Sequence, residues 1–191
     1  MKKALIAFVC LALSSAVAMA DVPDPNQCSV TPSDALNGVI CCPNIPSALT
    51  ESINTITVKN QNGNAIANAS VVVLLTASNP TCPAAVLTAT TNASGVATIT
   101  IAASGCAKAV PSACVVKANG VTIRTYVNAK SPDYDGAGGN GSVGIADLVS
   151  FANEFNGITP PGCHDYTNDG ATGIGDLVPF GSAFSAARHC P

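Results

Sequence analysis

The segment GATGIGDLVPFGSAF at residues 170–184 repeats the segment GSVGIADLVSFANEF at residues 141–155. The offset is 29 residues, and 8 of the 15 aligned positions are identical. Each copy follows Asp and Asn residues, has an Asp at its centre and ends in apolar residues at helical spacing. Asp and Gly are common in ordinary turns, so one copy alone would be weak evidence. Two matched copies predict two oxygen-lined cation sites, each followed by a helix.

The second copy fits a twelve-residue EF-type loop that begins at Asp165. Its expected ligands, at loop positions one, three, five, seven and twelve, are Asp165, Thr167, Asp169, the Ala171 carbonyl and Asp176. Gly170 stands at position six, where the loop must turn sharply. Calcium takes roughly six to eight oxygen ligands, so this spacing predicts a Ca²⁺ site. In the helix that follows, we expect Leu177, Phe180 and Phe184 on one face and Pro179 in the first turn.

The first copy matches the same loop only if three extra residues are looped out. The flexible stretch Gly136-Ala-Gly-Gly139 is the place where this can happen. The expected ligands are then Asp133, Asp135, Asn140, the Ser142 carbonyl and Asp147. The predicted helix presents Leu148, Phe151 and Phe155.

The middle of the chain has the pattern of short β-strands, with Val, Ile and Thr runs between turn residues. We predict strands at residues 53–58, 69–76, 86–91, 96–101, 113–118 and 121–127, and one or two edge strands within residues 28–45. Residues 69–76 are nearly all apolar and predict a central strand covered on both faces. Asn119-Gly120 predicts a type I′ hairpin. No helical period precedes Val143.

This pattern favours a mainly β fold, in which an immunoglobulin-like β-sandwich over residues 21–130 precedes a small α-helical unit over residues 131–191. The sandwich segments ITVKNQNG (56–63), ASVVV (69–73) and TTNASGVA (90–97) resemble the bacterial immunoglobulin-like and carboxypeptidase-regulatory-like families. The resemblance implies a spacer or interaction domain without catalytic residues.

Residues 131–190 resemble the dockerin family, through NGSVGIADL (140–148) and DGATGIGDL (169–177). The resemblance implies two bound calcium ions and docking onto a cohesin-like receptor. Dockerins usually dock through polar residues at loop positions ten and eleven. Here those positions are Ile145-Ala146 and Ile174-Gly175, which are small or apolar.

Residues 1–20 have the features of a secretory signal peptide. Lys2 and Lys3 precede a mostly apolar run, and Ala18-Met-Ala20 forms a small-residue cleavage site. After cleavage six basic and eleven acidic residues remain, a net charge of −5. Nucleic acid is an unsuitable partner for such a chain, because phosphate contacts need clustered Lys and Arg. No later stretch is long and apolar enough to predict a membrane span. We expect a secreted protein, outside the cell or at its surface.

Eight cysteines remain after cleavage, and an even number in an exported chain predicts four disulfides. Cys163 and Cys190 bracket the second copy and are the expected pair. The adjacent Cys41 and Cys42 are expected to take different partners. Cys163-His164 and His189-Cys190 are also compatible with a zinc cluster, although export favours disulfides.

Few residues could support catalysis, because the chain has only two His and two Glu, and no Ser-His-Asp or paired-carboxylate arrangement is evident. Gly139-x-Gly-x-x-Gly144 matches a dinucleotide fingerprint, but no strand of a βαβ unit leads into it. Charged residues make up only 10% of the chain, which suits self-association or glycan cover, with sequons at Asn68, Asn92 and Asn140. We predict a non-enzymatic structural or adhesive protein, and we hypothesise that it is a subunit that assembles head to tail into an extracellular filament or surface layer. The alternative is a module that docks onto a cohesin-like receptor.

Overall fold

The computed structural model describes residues 21–191. The predicted signal peptide at residues 1–20 lies outside the described residues. The described chain is mainly β, with two longer helices near its C-terminal end. The strands are, in chain order, β1 (Ser29–Thr31), β2 (Val39–Ile40), β3 (Ile53–Thr57), β4 (Ser70–Leu75), β5 (Thr88–Thr90), β6 (Val96–Thr100), β7 (Cys106–Ala107), β8 (Cys114–Ala118), β9 (Val121–Tyr126) and β10 (Ala129–Lys130).

The helices are α1 (Ser33–Leu36), α2 (Ile145–Phe155) and α3 (Ile174–Ser185), with a 3₁₀ turn at Thr50–Ser52. The single-turn α1 was not predicted, since four residues are too few to show a helical period. The prediction for Pro179 was wrong. It is the sixth residue of α3 and lies in the second turn, where its missing N–H leaves the Gly175 carbonyl without a helical partner. Among residues 21–191, none of the helices has the length and apolar character needed to cross a bilayer.

Two antiparallel sheets enclose the main core. The first has the order β1-β3-β6, and the second has the order β5-β4-β8-β9. Val30, Ile56 and Ile99 from the first sheet lie in one buried cluster with Val71 and Val116 from the second. The alternation of apolar and polar residues along each strand sends one set of side chains into this cluster.

Strand β4 is central, as predicted, because it pairs with β5 on one side and β8 on the other. The prediction that both its faces are covered was wrong. Val71 and Val73 are buried, but Leu74 points to the other face and is 46% exposed. The hairpin prediction is confirmed, because Asn119 and Gly120 both have positive φ between β8 and β9.

A third, small sheet joins distant parts of the chain. Strand β10 pairs in parallel with β2 and antiparallel with β7. Strand β10 ends at Lys130, directly before the segment that contains the predicted calcium ligands from Asp133 onward. Its pairing with β2 and β7 therefore fixes the start of that segment.

The helices pack against the β-rich part through a second core cluster. Phe151 from α2 and Phe180 from α3 stack with ring centroids 4.5 Å apart. Ile40 and Leu49 from the N-terminal half belong to the same cluster. Leu148 and Phe184 pack against this cluster as predicted. Phe155 and Leu177, predicted on the same helix faces, are each 40% exposed and lie outside it.

The predicted Cys163–Cys190 disulfide was wrong. The structure pairs Cys82 with Cys190 and Cys106 with Cys163, with Cα separations of 5.1 and 5.8 Å. The reason is that the C-terminal segment turns back onto the β-rich part, where His189 forms bridges with Ile45 and Ser142. Both disulfides consequently connect the helical part to the β-rich part.

Four cysteines are buried and form no disulfide in the described chain, so the structure has two disulfides where the sequence predicted four. They are Cys28, Cys41, Cys42 and Cys114. Cys41 and Cys42 were expected to form disulfides with different partners, and in this structure neither forms one. Burial raises the pKa of the Cys42 and Cys114 thiols to about 12.

The glycine-rich stretch before the first copy packs closely onto the β-rich part. A Cβ at Gly139 would overlap the Gly105 nitrogen and the Ser104 side chain, whereas a Cβ at the neighbouring Gly138 would meet nothing within 4 Å. The Gly105 amide also donates to the Asp133 carbonyl at 2.9 Å. Only a residue without a side chain fits at position 139.

We expect Gly139→Ala to lower the free energy of unfolding by about 1–3 kcal/mol, because backbone and side-chain atoms must move to admit the methyl group. Gly138→Ala is the matched control and should change it by less than about 0.5 kcal/mol. Urea unfolding followed by circular dichroism measures both. Equal effects of the two substitutions would contradict the close packing.

Candidate metal centre

The second acidic segment, residues 165–176, which we name loop 2, is organised around the carboxylate of Asp165. Its Oδ1 accepts a hydrogen bond from the Asp169 amide at 3.3 Å, and its Oδ2 accepts one from the Gly170 amide at 3.2 Å. Asp169 Oδ1 in turn accepts from the Ala171 amide at 2.9 Å. Gly170 has φ of 92°, a conformation that favours glycine and turns the chain sharply. The expected positions one, five, six and seven thus curl around one centre.

Asp176 closes loop 2 from the first turn of α3. Its Oδ1 accepts from the Tyr166 amide at 2.7 Å and the Thr167 amide at 2.9 Å. Its Oδ2 accepts from the Gly173 amide at 2.8 Å, which caps the helix. The carboxylate is buried, and it ties the end of loop 2 to its beginning.

The first acidic segment, residues 133–147, which we name loop 1, repeats this pattern with a longer turn. Asp133 Oδ1 accepts from the Asn140 amide at 2.9 Å, and Asp133 Oδ2 accepts from the Gly141 amide at 2.7 Å. Asn140 Oδ1 accepts from the Ser142 amide at 3.0 Å. The separations from Asp133 are seven and eight residues, against four and five from Asp165 in loop 2. The difference of three residues equals the insertion expected from the sequence.

The three extra residues form a small turn of their own. Asp135 Oδ1 accepts from the Ala137 and Gly138 amides at 2.9 and 3.1 Å. These donations lower the pKa of Asp135. Asp135 is exposed, whereas Asp133 and Asp147 are buried. Asn140 and Ser142 are exposed as well, but Asp135 is the one of the five predicted residues whose carboxylate stabilises the inserted turn.

Asp147 differs from its counterpart Asp176 in one respect. Its Oδ2 accepts from the Gly144 amide at 2.7 Å, which caps α2. Its Oδ1 is buried and has no hydrogen-bond partner among the described residues. A buried oxygen without a partner is costly in an apolar interior. Loop 1 therefore contains a carboxylate oxygen with an unused lone pair.

The carboxylates of loop 1 are electrostatically strained. Burial, together with the charges of Asp147 and Asp135, raises the pKa of Asp133 to about 6. Burial and the charge of Asp135 also raise the pKa of Asp147. A buried cluster of like charges is stabilised either by protons or by a bound cation.

The donor set of each loop fits a hard cation. Apart from the carboxylates, loop 1 offers the Asn140 amide oxygen and the Ser142 carbonyl, and loop 2 offers the Thr167 hydroxyl and the Ala171 carbonyl. All of these donors are oxygen atoms, which calcium prefers. Within residues 21–191, no three His, Cys, Asp or Glu side chains by themselves form a metal cluster. A cation in either loop would depend on the amide, hydroxyl and carbonyl oxygens as well.

The role of Lys130 could not be predicted from the loop pattern. This lysine ends β10 and is 2% exposed. Its ammonium donates to the Asp165 carbonyl and lies 3.8 Å from Asp165 Oδ2. Burial lowers the pKa of Lys130, and the charge of Asp165 acts against that change. Loop rules consider only residues within a loop, so they cannot identify a cation supplied by a strand.

Glu154 and His164 form a second contact that sequence reasoning missed. Glu154 Oε1 lies 3.0 Å from His164 Nδ1, and Glu154 Oε2 accepts from the Thr172 hydroxyl at 2.9 Å. Burial alone would raise the pKa of Glu154, but the contacts with His164, Thr172 and the Gly162 amide outweigh it and hold the pKa at about 2. The pair connects the end of α2 to both ends of loop 2. The identical positions in the two copies could not reveal it, because Glu154 is replaced by Ala183 in the second.

The alternative of a zinc cluster lacks free thiols as ligands in this structure. Cys163 and Cys190 each belong to a different disulfide. His164 is fully buried beside Glu154, while His189 is exposed.

Comparison with known proteins adds no assignment, since no family model, curated protein or solved structure matches this chain.

The raised pKa of Asp133 predicts a pH dependence of stability in chelator. The folded state binds this proton more tightly than the unfolded state, so its contribution is complete below about pH 4 and is lost as the pH rises through about 6. As the pH rises across this range, we expect deprotonation of Asp133 to lower the free energy of unfolding by about 2–3 kcal/mol. Urea unfolding at pH 4.5 to 7.5 in Asp133→Asn should show a flatter dependence than in the unsubstituted protein. Parallel curves for the two proteins would exclude Asp133 as the source.

Proposed function

We propose that this chain is a secreted, calcium-binding, non-enzymatic protein with a structural or adhesive role. Its β-rich part would be an immunoglobulin-like sandwich, and residues 131–191 a dockerin-like calcium-binding unit. Two disulfides fit an oxidising, extracellular location.

The observation that carries the proposal is the matched hydrogen bonding of the two loops. In each, an Asp at position one accepts the amides of positions five and six, and an Asp at position twelve caps the following helix. Ordinary Asp-Gly turns are not expected to show the same set of hydrogen bonds at two places in one chain. The buried Asp147 Oδ1 supports a cation ligand at loop 1, because a cation would satisfy it.

Calcium in loop 1 would act on more than the loop itself. The Asp133 carbonyl accepts from Gly105 in the β-rich part, and the Gly141 carbonyl accepts from Cys190, which is bonded to Cys82. An ion that fixes Asp133 and Gly141 would therefore fix the angle between the helical and β-rich parts. A rigid joint of this kind suits a structural protein, because it holds the two parts at a fixed angle.

We expect calorimetric titration of the disulfide-bonded chain to show two calcium ions bound. Asp147→Ala should remove the ion of loop 1 and Asp176→Ala that of loop 2, so each variant binds one. At a calcium concentration of about 100 times Kd, bound ions should raise the unfolding free energy by about 2.7 kcal/mol per site.

Asp24→Asn is the matched control, because Asp24 is a carboxylate far from both loops in the chain, and within residues 21–191 its side chain accepts a hydrogen bond from the Asn26 amide alone. It should retain both ions. The absence of binding heat, with equal melting temperatures in calcium and in chelator, would remove calcium from the proposal.

Exposed apolar side chains at equivalent positions of the two helices support a protein partner. Ile145 and Ile174 are both 69% exposed, and Val149 and Val178 are 55% and 63% exposed. Large exposed apolar residues are costly in solution unless a partner covers them. We favour a second copy of this chain in a head-to-tail assembly, since such a contact leaves further surfaces free to extend a filament. Docking onto a cohesin-like receptor is the alternative that the same residues would serve.

We expect Ile145→Asp with Ile174→Asp to abolish self-association seen by light scattering in calcium at high protein concentration. Val86→Asp is the matched control, since Val86 is 70% exposed but lies on the β-rich part. Scattering that shows only monomer for the unsubstituted protein would reject the assembly and leave the receptor alternative.

A further inference from the structure

Lys130 places a positive charge inside loop 2. Its ammonium lies 3.8 Å from Asp165 Oδ2, and both side chains are less than one-tenth exposed. It also donates to the Asp165 carbonyl, so it is held by two oxygens of the same residue. Asp165 is the position-one residue around which loop 2 is organised. A cation bound by this carboxylate would have to share it with the ammonium.

Loop 1 has no equivalent of this lysine. Among residues 21–191, none of the ion pairs involves Asp133, Asp135 or Asp147. Two of these carboxylates are buried, and one oxygen of Asp147 has no partner. In loop 2, by contrast, both oxygens of Asp176 accept backbone amides. The two loops share their hydrogen-bonding pattern and differ in how their negative charge is balanced.

We propose that Lys130 is a built-in cation that weakens calcium binding in loop 2 and makes loop 1 the tighter of the two sites. This inference rests on the proposed calcium function and ranks its two sites. A fixed ammonium within a few ångströms repels a divalent ion in a poorly solvated environment. It also balances the charge of Asp165 when no ion is bound, so loop 2 keeps its shape without calcium. Loop 1 depends on the ion, and the β-rich part is joined directly to loop 1 through Gly105 and Asp133.

The test isolates loop 2 by calorimetry in an Asp147→Ala background, with calcium chloride as the titrant. We expect Lys130→Gln in this background to bind calcium at least about tenfold more tightly, because the repulsion is removed while a donor for the Asp165 carbonyl remains. Lys130→Arg keeps the charge and should leave the affinity within about threefold. Lys117→Gln removes a lysine from β8, outside both loops, and controls for the change in net charge. Unchanged or weaker binding by Lys130→Gln would overturn the proposal.

Removal of one partner from a buried ion pair destabilises a protein, so the Lys130→Gln variant needs a second measurement. Thermal melting in chelator and in calcium provides it. We expect a larger calcium-induced rise in melting temperature for Lys130→Gln than for Lys130→Arg, because calcium replaces the missing charge. A variant that stays unfolded at saturating calcium would also overturn the proposal, since the ion would then fail to replace the ammonium.

The two possible failures are distinguishable. If neither loop of the unsubstituted chain nor any variant binds calcium, the proposed function fails together with this inference. If Asp147→Ala removes a tight site and Lys130→Gln changes nothing in loop 2, calcium binding stands and only the role of Lys130 is rejected. Binding in loop 2 that appears only after Lys130→Gln would support the inference most directly.

Discussion

The negative charge of buried carboxylates must be balanced where the β-rich part meets the helices. Asp133 and Asp165 each collect two backbone amides and thereby shape their loops. Hydrogen bonds from amides stabilise a carboxylate but do not cancel its charge. In loop 2 the balance comes from Lys130, and in loop 1 it falls to protons or to a cation. The positions of the longer helices, which begin within the last three residues of these loops, follow from how this charge is balanced.

Much of the fold could be predicted because it is encoded by local pattern. Short apolar runs located β3, β4, β5, β6, β8 and β9 and placed edge strands within residues 28–45, but they did not predict β7 and β10, because two residues are too few to show a pattern. Asn119-Gly120 located a hairpin, and the repeated Asp-Leu-Val-x-Phe located both longer helices. The three-residue insertion before Asn140 could also be predicted, because the duplication supplied an internal standard for the loop. Except for the insertion, which needed the second copy, the controlling residues lie within about fifteen positions of one another, the range over which periodicity and turn chemistry act.

The features that could not be predicted all depend on contacts between distant residues. Cysteine pairing is set by the return of the C-terminal segment to Ile45, a pairing that no local pattern records. Lys130 lies beyond the last predicted strand, which ends at residue 127, and the third sheet brings it to Asp165, 35 positions later. Glu154 and Thr172 come from different copies, so comparison of the copies hides their contact. Sequence reasoning therefore identified the candidate ligands of the loops but not the groups that tune them.

The Cys82–Cys190 disulfide spans 108 positions of the chain and has a consequence for tension. A pull on the chain beyond Cys190 passes through the sulfur bridge straight to Cys82, at the loop beside the strands. The intervening residues 83–189, which include both acidic loops and both longer helices, lie outside the path of the force. A load would then reach the β-rich part without stretching the loops. The loops would keep their shape until a covalent bond broke or the sheets unfolded.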